Sequence, residues 1–397
     1  MHLPSYSKHI EHWSLDRNMV FLNHGSFGAT PTKILELQQK YIYQMEAEPV
    51  RYMIRELEPL WWEAKEKTAH FLGANPSNLV FVKNATMGVN TILHSLNFES
   101  GDEVLTTNHA YGACMNTLHQ YAKIKKFNVV VASIPFPFKD EDEIIEALVQ
   151  KITPKTKLLM IDHITSATAT IFPIEKIIQL FEEKGIKVLV DGAHAPGMIH
   201  LELEKMGASY YVGNCHKWIC SPKGSAILHV RKDKQEKIHP LQYSHIHDRK
   251  NGSDDEWSAQ FFWPGTDDIS AYLCVPEAIK YMGNMLGSWE ELRNNNKQLI
   301  VNARNLLSKT LSTDLPVPEK NIGFISNILI GKEELPEKYF NNITLLQETL
   351  FQKYKIEVPI FVFNKDNPRL WVRIATQVYN SMEQYEYLAE AIMDARR

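Results

Sequence analysis

The chain of 397 residues has no apolar run near the roughly 18 residues that a membrane-crossing helix needs. It also has no C-x-x-C pair. Its four cysteines, Cys114, Cys215, Cys220 and Cys274, are scattered and form no disulfide framework. They read as reduced thiols, with Cys215 and Cys220 packed as small hydrophobes. Neither sign of charge dominates: 43 basic and 47 acidic residues leave a net charge of −4. That balance argues against a nucleic-acid surface as the main function. Repeats and low-complexity tracts are absent, and the opening "MHLPSYSKHIEHWSLD" is polar and charged, unlike a signal peptide. Together these absences predict a cytoplasmic protein with no membrane or nucleic-acid partner. Histidines do gather in "HPLQYSHIHD" (His239, His245, His247, beside Asp248), but their spacing fits no helical ligand pair, so no metal site is expected.

What is present is a regular alternation. Apolar runs "NLVFV", "DEVLTT", "NVVVASI", "KLLMIDH", "KVLVDGA", "SYYVGN" and "SAILHV" read as strands, separated in several places by amphipathic helical stretches such as "GVNTILHSL" and "IEKIIQLFEEKG". Strand, helix, strand in repetition predicts an α/β fold with a mainly parallel central sheet and flanking helices. Apolar residues on both alternating positions predict that both faces are covered. The last two strands are joined too closely for a helical crossover, so one of them is expected to be antiparallel. Beyond Pro276 long helices and the strands "FISNILI" and "RLWVRIA" predict a smaller α+β unit. The division expected is a large domain over residues 20–275 and a small one from residues 1–19 and 276–397.

Ligands of such sheets bind beyond the carboxyl ends of the strands. Reading each strand end brings Ala85 and Thr86 to the start of a helix, where free N–H groups suit a phosphate. The next ends bring His109 and Tyr111, then His163, Thr165 and Ser166, then Asp191 and His194, then His216 and Lys217. Each residue has a plain structural reading as a cap, a turn or a satisfied interior group. A carboxylate, an amine, a phosphate-binding helix start and a ring that can stack match the needs of pyridoxal phosphate when they share one rim. Asp191 would keep the pyridine nitrogen protonated. Lys217 would hold the aldehyde at rest and serve as base beside the substrate Cα, with its pKa lowered by burial.

The stretches "FLNHGSFGATP", "NATMGVN", "DHITSAT", "VDGAHAPG", "GNCHKWICSPKGSA", "WPGTDDISAYL" and "VRIATQVYN", in this order from residue 21 to 380, resemble the class V aminotransferase family of fold-type I pyridoxal-phosphate enzymes. The nearer resemblance is to its isopenicillin N epimerase-like branch, which includes ergothioneine-pathway C–S lyases. The resemblance implies that Lys217 is the Schiff-base lysine and Asp191 the partner of the ring nitrogen. It implies that His194 and Ser166 lie near the phenolic oxygen, and that Ala85, Thr86, Asn214 and His216 bind phosphate. Asn214 stands where the family has serine, a mild departure because an amide also donates. His109 is the expected stacking ring, with Tyr111 the second choice. Thr266 in "WPGT" is expected to reach the other subunit's cofactor in a homodimer. Arg373 in "VRIATQVYN" is expected to grip the substrate carboxylate, with its fork matched to two oxygens. Asn23 and His24 would line the substrate side, and Arg51 and Arg55 are weaker candidates for it.

Fold and cofactor leave the reaction open. No cysteine lies between Ile322 and Arg373, where related cysteine desulfurases carry their nucleophile, so a persulfide-forming desulfurase is not expected. β-Elimination from cysteine or an S-substituted cysteine is the leading expectation, with epimerisation and transamination as alternatives.

Overall fold

The computed structural model describes residues 3–245, 255–330, 343–363 and 369–395. Its strands in chain order are β1 (Val20–Phe21), β2 (Leu79–Val82), β3 (Glu103–Thr107), β4 (Asn128–Ala132), β5 (Thr156–Asp162) and β6 (Lys187–Asp191). They continue with β7 (Tyr210–Asn214), β8 (Ala226–Val230), β9 (Ile325–Leu329), β10 (Ile356–Glu357), β11 (Ile360–Phe363) and β12 (Arg369–Ala375). Seven of them form the central sheet, in the order β2-β8-β7-β6-β5-β3-β4. Neighbours are parallel except where β8 is involved; β8 runs against both β2 and β7. All seven strand segments read from the sequence are in this sheet, and β8 is the antiparallel one foreseen.

The continuous apolar runs have a direct consequence in packing. On β5, Leu158 and Met160 enter one apolar cluster and Leu159 and Ile161 enter the other, so the sheet is buried on both faces. The helix Ala85–Ser95 covers the first face with Val89, Ile92 and Leu93. Asn84 caps it by accepting the Met87 N–H at 2.8 Å. Gly88 lets this helix lie close over β7, since a Cβ there would stand 2.5 Å from Val212 Cγ1. The helix Ile174–Glu182 covers the opposite face with Ile177, Ile178 and Phe181.

A second, three-stranded antiparallel sheet has the order β11-β12-β9 and packs with the helices Trp289–Leu311 and Met382–Ala395. The N-terminal segment joins this unit: Ser7 N–H donates to Tyr379 O at 3.0 Å, the Trp13 ring meets Tyr379 at 5.1 Å, and β1 pairs in parallel with β10. One apolar cluster runs without interruption from Phe81 of the central sheet to Ile392 of the last helix. The C-terminal unit is thus packed onto the larger one through a shared core. Residues 246–254, which hold most of the "HIHDRKNGSDDEW" loop with His247 and Asp248, lie outside the described residues.

Candidate active site

At the carboxyl ends of β5, β6 and β7 the structure has a cavity of about 370 Å³. Its lining includes Thr86, Asp162, Asp191, His194, Asn214 and Lys217, with Tyr111, Ser26 and Phe27 also facing it. Topology explains why these residues meet. Parallel strands present their C-terminal ends at one rim, so side chains distant in sequence converge there.

Lys217 follows β7 and is 8% exposed. Its Nζ lies 3.0 Å from His194 Nε2. Trp218 Nε1–H donates to His194 Nδ1 at 3.4 Å, a contact that requires Nδ1 to be bare and leaves the ring proton on Nε2. That proton needs an acceptor, and a neutral Lys217 amine supplies one. The electrostatics agree: burial, then the nearby Arg373 charge, pull Lys217 down to about 7. Burial also holds the His194 ring well below its ordinary range, and so neutral.

The turn carrying Lys217 is braced from behind. His24 Nε2 is 3.0 Å from Lys217 O and His24 Nδ1 is 2.8 Å from Tyr379 Oη, with the ring 4.8 Å from Trp218. His24, expected on the substrate side, is 1% exposed and lies outside the cavity lining. It supports the lysine backbone. Gly28 closes the same "NHGSFG" turn at φ +71°, and a Cβ there would stand 2.0 Å from His216 O, so only glycine fits.

Asp191 ends β6 and is 3% exposed. Its Oδ1 accepts the Ala193 N–H at 3.1 Å, and its Oδ2 accepts the thiol of Cys114, also at 3.1 Å. At the helix start, Ala85 N–H donates to Asn214 Oδ1 at 2.9 Å, and Met87 N–H is taken by the cap. The Ala85 amide, expected to hold phosphate, is therefore occupied within the protein. The Thr86 amide and the Asn214 Nδ2 are left as the donors for an anion. His216 lines the same end and donates from Nδ1 to Ser225 O at 3.1 Å.

Arg373 comes from β12 and is 2% exposed. Its Nη1 donates to Ser166 O at 2.8 Å and Ser166 Oγ at 3.1 Å, and its Nη2 to Ser26 Oγ at 3.0 Å. Asn23 Oδ1 lies 3.5 Å from Nη2, while Asn23 Nδ2 bonds Glu357. Arg373 Nε has no partner and, among the described residues, no acid pairs with the guanidinium. A buried cation without an anion, tied to two serines that line the cavity, suits a carboxylate arriving from outside.

Several expected residues are placed elsewhere. His109 is turned away from the cavity: Nδ1 meets Thr168 Oγ1 at 2.7 Å, Nε2 meets Ile134 O at 3.2 Å, and the ring sits among Phe136, Phe172 and Phe363. With both nitrogens engaged and burial holding its pKa near about 4, it is a neutral core residue. Tyr111 faces the cavity in its place and is 46% exposed. His163 and Thr165 are likewise buried off the cavity. Thr266 is exposed and outside this chain's lining. Arg51 and Arg55 are exposed on the helical stretch around Tyr52–Glu56, and Arg51 pairs with Glu56 at 2.9 Å. The sequence reading passed over Asp162, Cys114 and Lys223. Asp162 was legible as the last residue of "KLLMID"; the other two carried no signal.

The family model of aminotransferase class-V matches residues 20–332. The chain belongs to the class-V aminotransferase family. Among its relatives, the isopenicillin N epimerase of Streptomyces clavuligerus is 29% identical, over 95% of this chain and 95% of that one. The L-cysteine desulfhydrase of Arabidopsis thaliana is 27% identical, over 94% of this chain and 87% of that one. A solved structure of a cystine C–S lyase with its reaction product cysteine persulfide has a TM-score of 0.78 at 18% identity, covering 95% of this chain and 98% of that chain. This class-V member thus has the fold-type I architecture expected from its sequence.

Proposed function

We propose that this protein is a pyridoxal-phosphate-dependent C–S lyase acting by β-elimination on cysteine or an S-substituted cysteine. The observation that carries the reading is the buried Lys217 amine, 3.0 Å from His194 Nε2 and in one cavity with Asp191. The donor set fits pyridoxal phosphate. Thr86, Asn214 and His216 would hold the phosphate, Asp191 the ring nitrogen and Lys217 the aldehyde end, and Tyr111 offers the ring that faces it. When bound, the cofactor supplies an electron sink for the pair released at the substrate Cα.

The protein's own residues do the rest. Arg373 binds the substrate carboxylate through its two-nitrogen fork and so sets which Cα bond faces Lys217. Near neutral pH much of Lys217 is free base, able to take the Cα proton at Nζ. His194 keeps that amine oriented through the Nε2 contact. No cysteine is placed to act as a nucleophile: all four are buried outside the lining, and burial pushes every thiol pKa up. This speaks against a persulfide-forming desulfurase. The L-cysteine desulfhydrase relative speaks for the lyase.

Epimerisation is the second reading, because Tyr111 is a further proton-bearing group in the lining and the relatives include an isopenicillin N epimerase. We also infer a homodimer in which the exposed Thr266 reaches the partner's cofactor phosphate. Titrating the purified protein with a panel of S-substituted cysteines and ordinary amino acids, while following visible absorbance and pyruvate, tests the lyase reading. Pyruvate from the sulfur substrates alone supports it. A spectral response without pyruvate sinks it and points to epimerised or transaminated products.

A further inference from the structure

Asp162 ends β5 and Asp191 ends β6, and the two are Cα partners across this parallel pair. Adjacent strands lie about 4.8 Å apart, so these carboxyl groups stand side by side on one face of the sheet. Both line the cavity and each is 3% exposed. Among the described residues neither makes an ion pair, and the Lys217 amine that faces them bonds His194 instead. Two dry carboxylates this close, without a counter-ion, do not both ionise; one keeps a proton.

Hydrogen bonding decides which. Asp191 receives two donors, the Cys114 thiol at Oδ2 and the Ala193 amide at Oδ1, both at 3.1 Å. Asp162 receives one, the Tyr111 amide at 3.2 Å. The other titratable groups facing the pair are the Lys217 amine and the Tyr211 hydroxyl of β7, which bonds His163 at 3.1 Å. Donors stabilise the charged form of the group they reach. Burial, then the Asp191 charge, push Asp162 well above the ordinary carboxylate range; burial raises Asp191 as well, but there the Cys114 thiol and the Ala193 amide oppose it.

We propose that the pair works as one anion and one acid, with the charge on Asp191 and a proton on Asp162, and that the Cys114 thiol fixes this assignment. Asp162 then adds a hydrogen-bond donor to the cavity wall. It also withholds a second negative charge that would raise the pKa of Lys217. Cys114 is a positioning residue in this scheme, acting through Asp191. The consequence for the cofactor rests on the function proposed above, but the proton placement is a property of the protein alone.

The first test uses cofactor-free protein, so its failure is distinct from failure of the cofactor reading. A folded state that keeps a proton the unfolded chain releases loses stability as pH rises. Asp162→Asn lacks that loss, so its unfolding midpoint should gain on wild type between pH 5 and pH 8. A gap that does not widen overturns the proposal. If Asp162→Asn does not fold, the infrared carbonyl stretch of a neutral carboxylic acid in wild type at pH 7 decides: present, it supports the pair; absent, it overturns it. The thiol is tested on holoprotein. Cys114→Ala should move the pH at which the visible band titrates, and Cys114→Ser should restore it. An unmoved titration in Cys114→Ala overturns the role of the thiol.

Discussion

Arg373→Gln separates substrate recognition from folding more sharply than any other single change. The guanidinium is buried without an acid and held by Ser166 and Ser26. Burial pulls its pKa down to about 10, which corresponds to about 3 kcal/mol of disfavoured charge in the substrate-free protein. Removing it relieves that penalty and loses three close hydrogen bonds worth about 1 kcal/mol each. The two nearly cancel, so the substrate-free variant should unfold within a few degrees of wild type. Catalysis has no such offset. Losing a buried, hydrogen-bonded charge pair costs about 3–5 kcal/mol, or roughly 10²- to 10⁴-fold in kcat/KM. The assay compares an amino-acid substrate with its carboxamide on both proteins. Wild type should strongly prefer the acid, and Arg373→Gln should lose that preference. A variant that still prefers the acid, or whose kcat/KM falls less than about tenfold, refutes the assignment of Arg373 to the carboxylate.

Lys217→Ala should abolish the visible band and activity in a protein that still folds; a yellow Lys217→Ala protein would remove the lysine from its role. Because burial pulls the free Lys217 amine down to about 7, and that amine is free only once substrate is bound, kcat should rise with pH through that value. The same depression means the folded protein binds fewer protons than the unfolded chain from about 7 to 10.5, so wild-type stability should gain on Lys217→Met as pH rises across that window. Asn214→Ala removes both the brace on the Ala85 amide and the free Nδ2, and should weaken cofactor retention by about tenfold in equilibrium dialysis. Tyr111→Phe should leave pyruvate release within severalfold of wild type if Lys217 alone handles the proton. A collapse in pyruvate release would show that Tyr111 also handles a proton in the elimination, against a scheme in which Lys217 acts alone.

The sheet was legible because both of its faces are apolar, so its strands read as short continuous apolar runs such as "NLVFV" and "KVLVDGA". Asp191 and Lys217 were legible because they end buried strands with the wrong chemistry for a core. Side-chain direction was not. His109 and Tyr111 are two residues apart in one turn, and which of them faces the cavity depends on how the chain enters the helix Gly112–Lys125. The partnership of Asp162 with Asp191 depends on strand register, and that of Cys114 on the helix lying over it; neither is written in local pattern. His24 looked like a polar loop residue because its two partners, Lys217 O and Tyr379, are 193 and 355 positions away.

Every residue lining the cavity lies between Ser26 and Gly224, yet the guanidinium that would recognise the substrate sits at position 373. The wall of the cavity and the guanidinium behind it are joined through Ser166 and Ser26. The turn that braces Lys217 leans on Tyr379 through His24. A change in how the last stretch of chain packs therefore reaches the cavity through these few contacts.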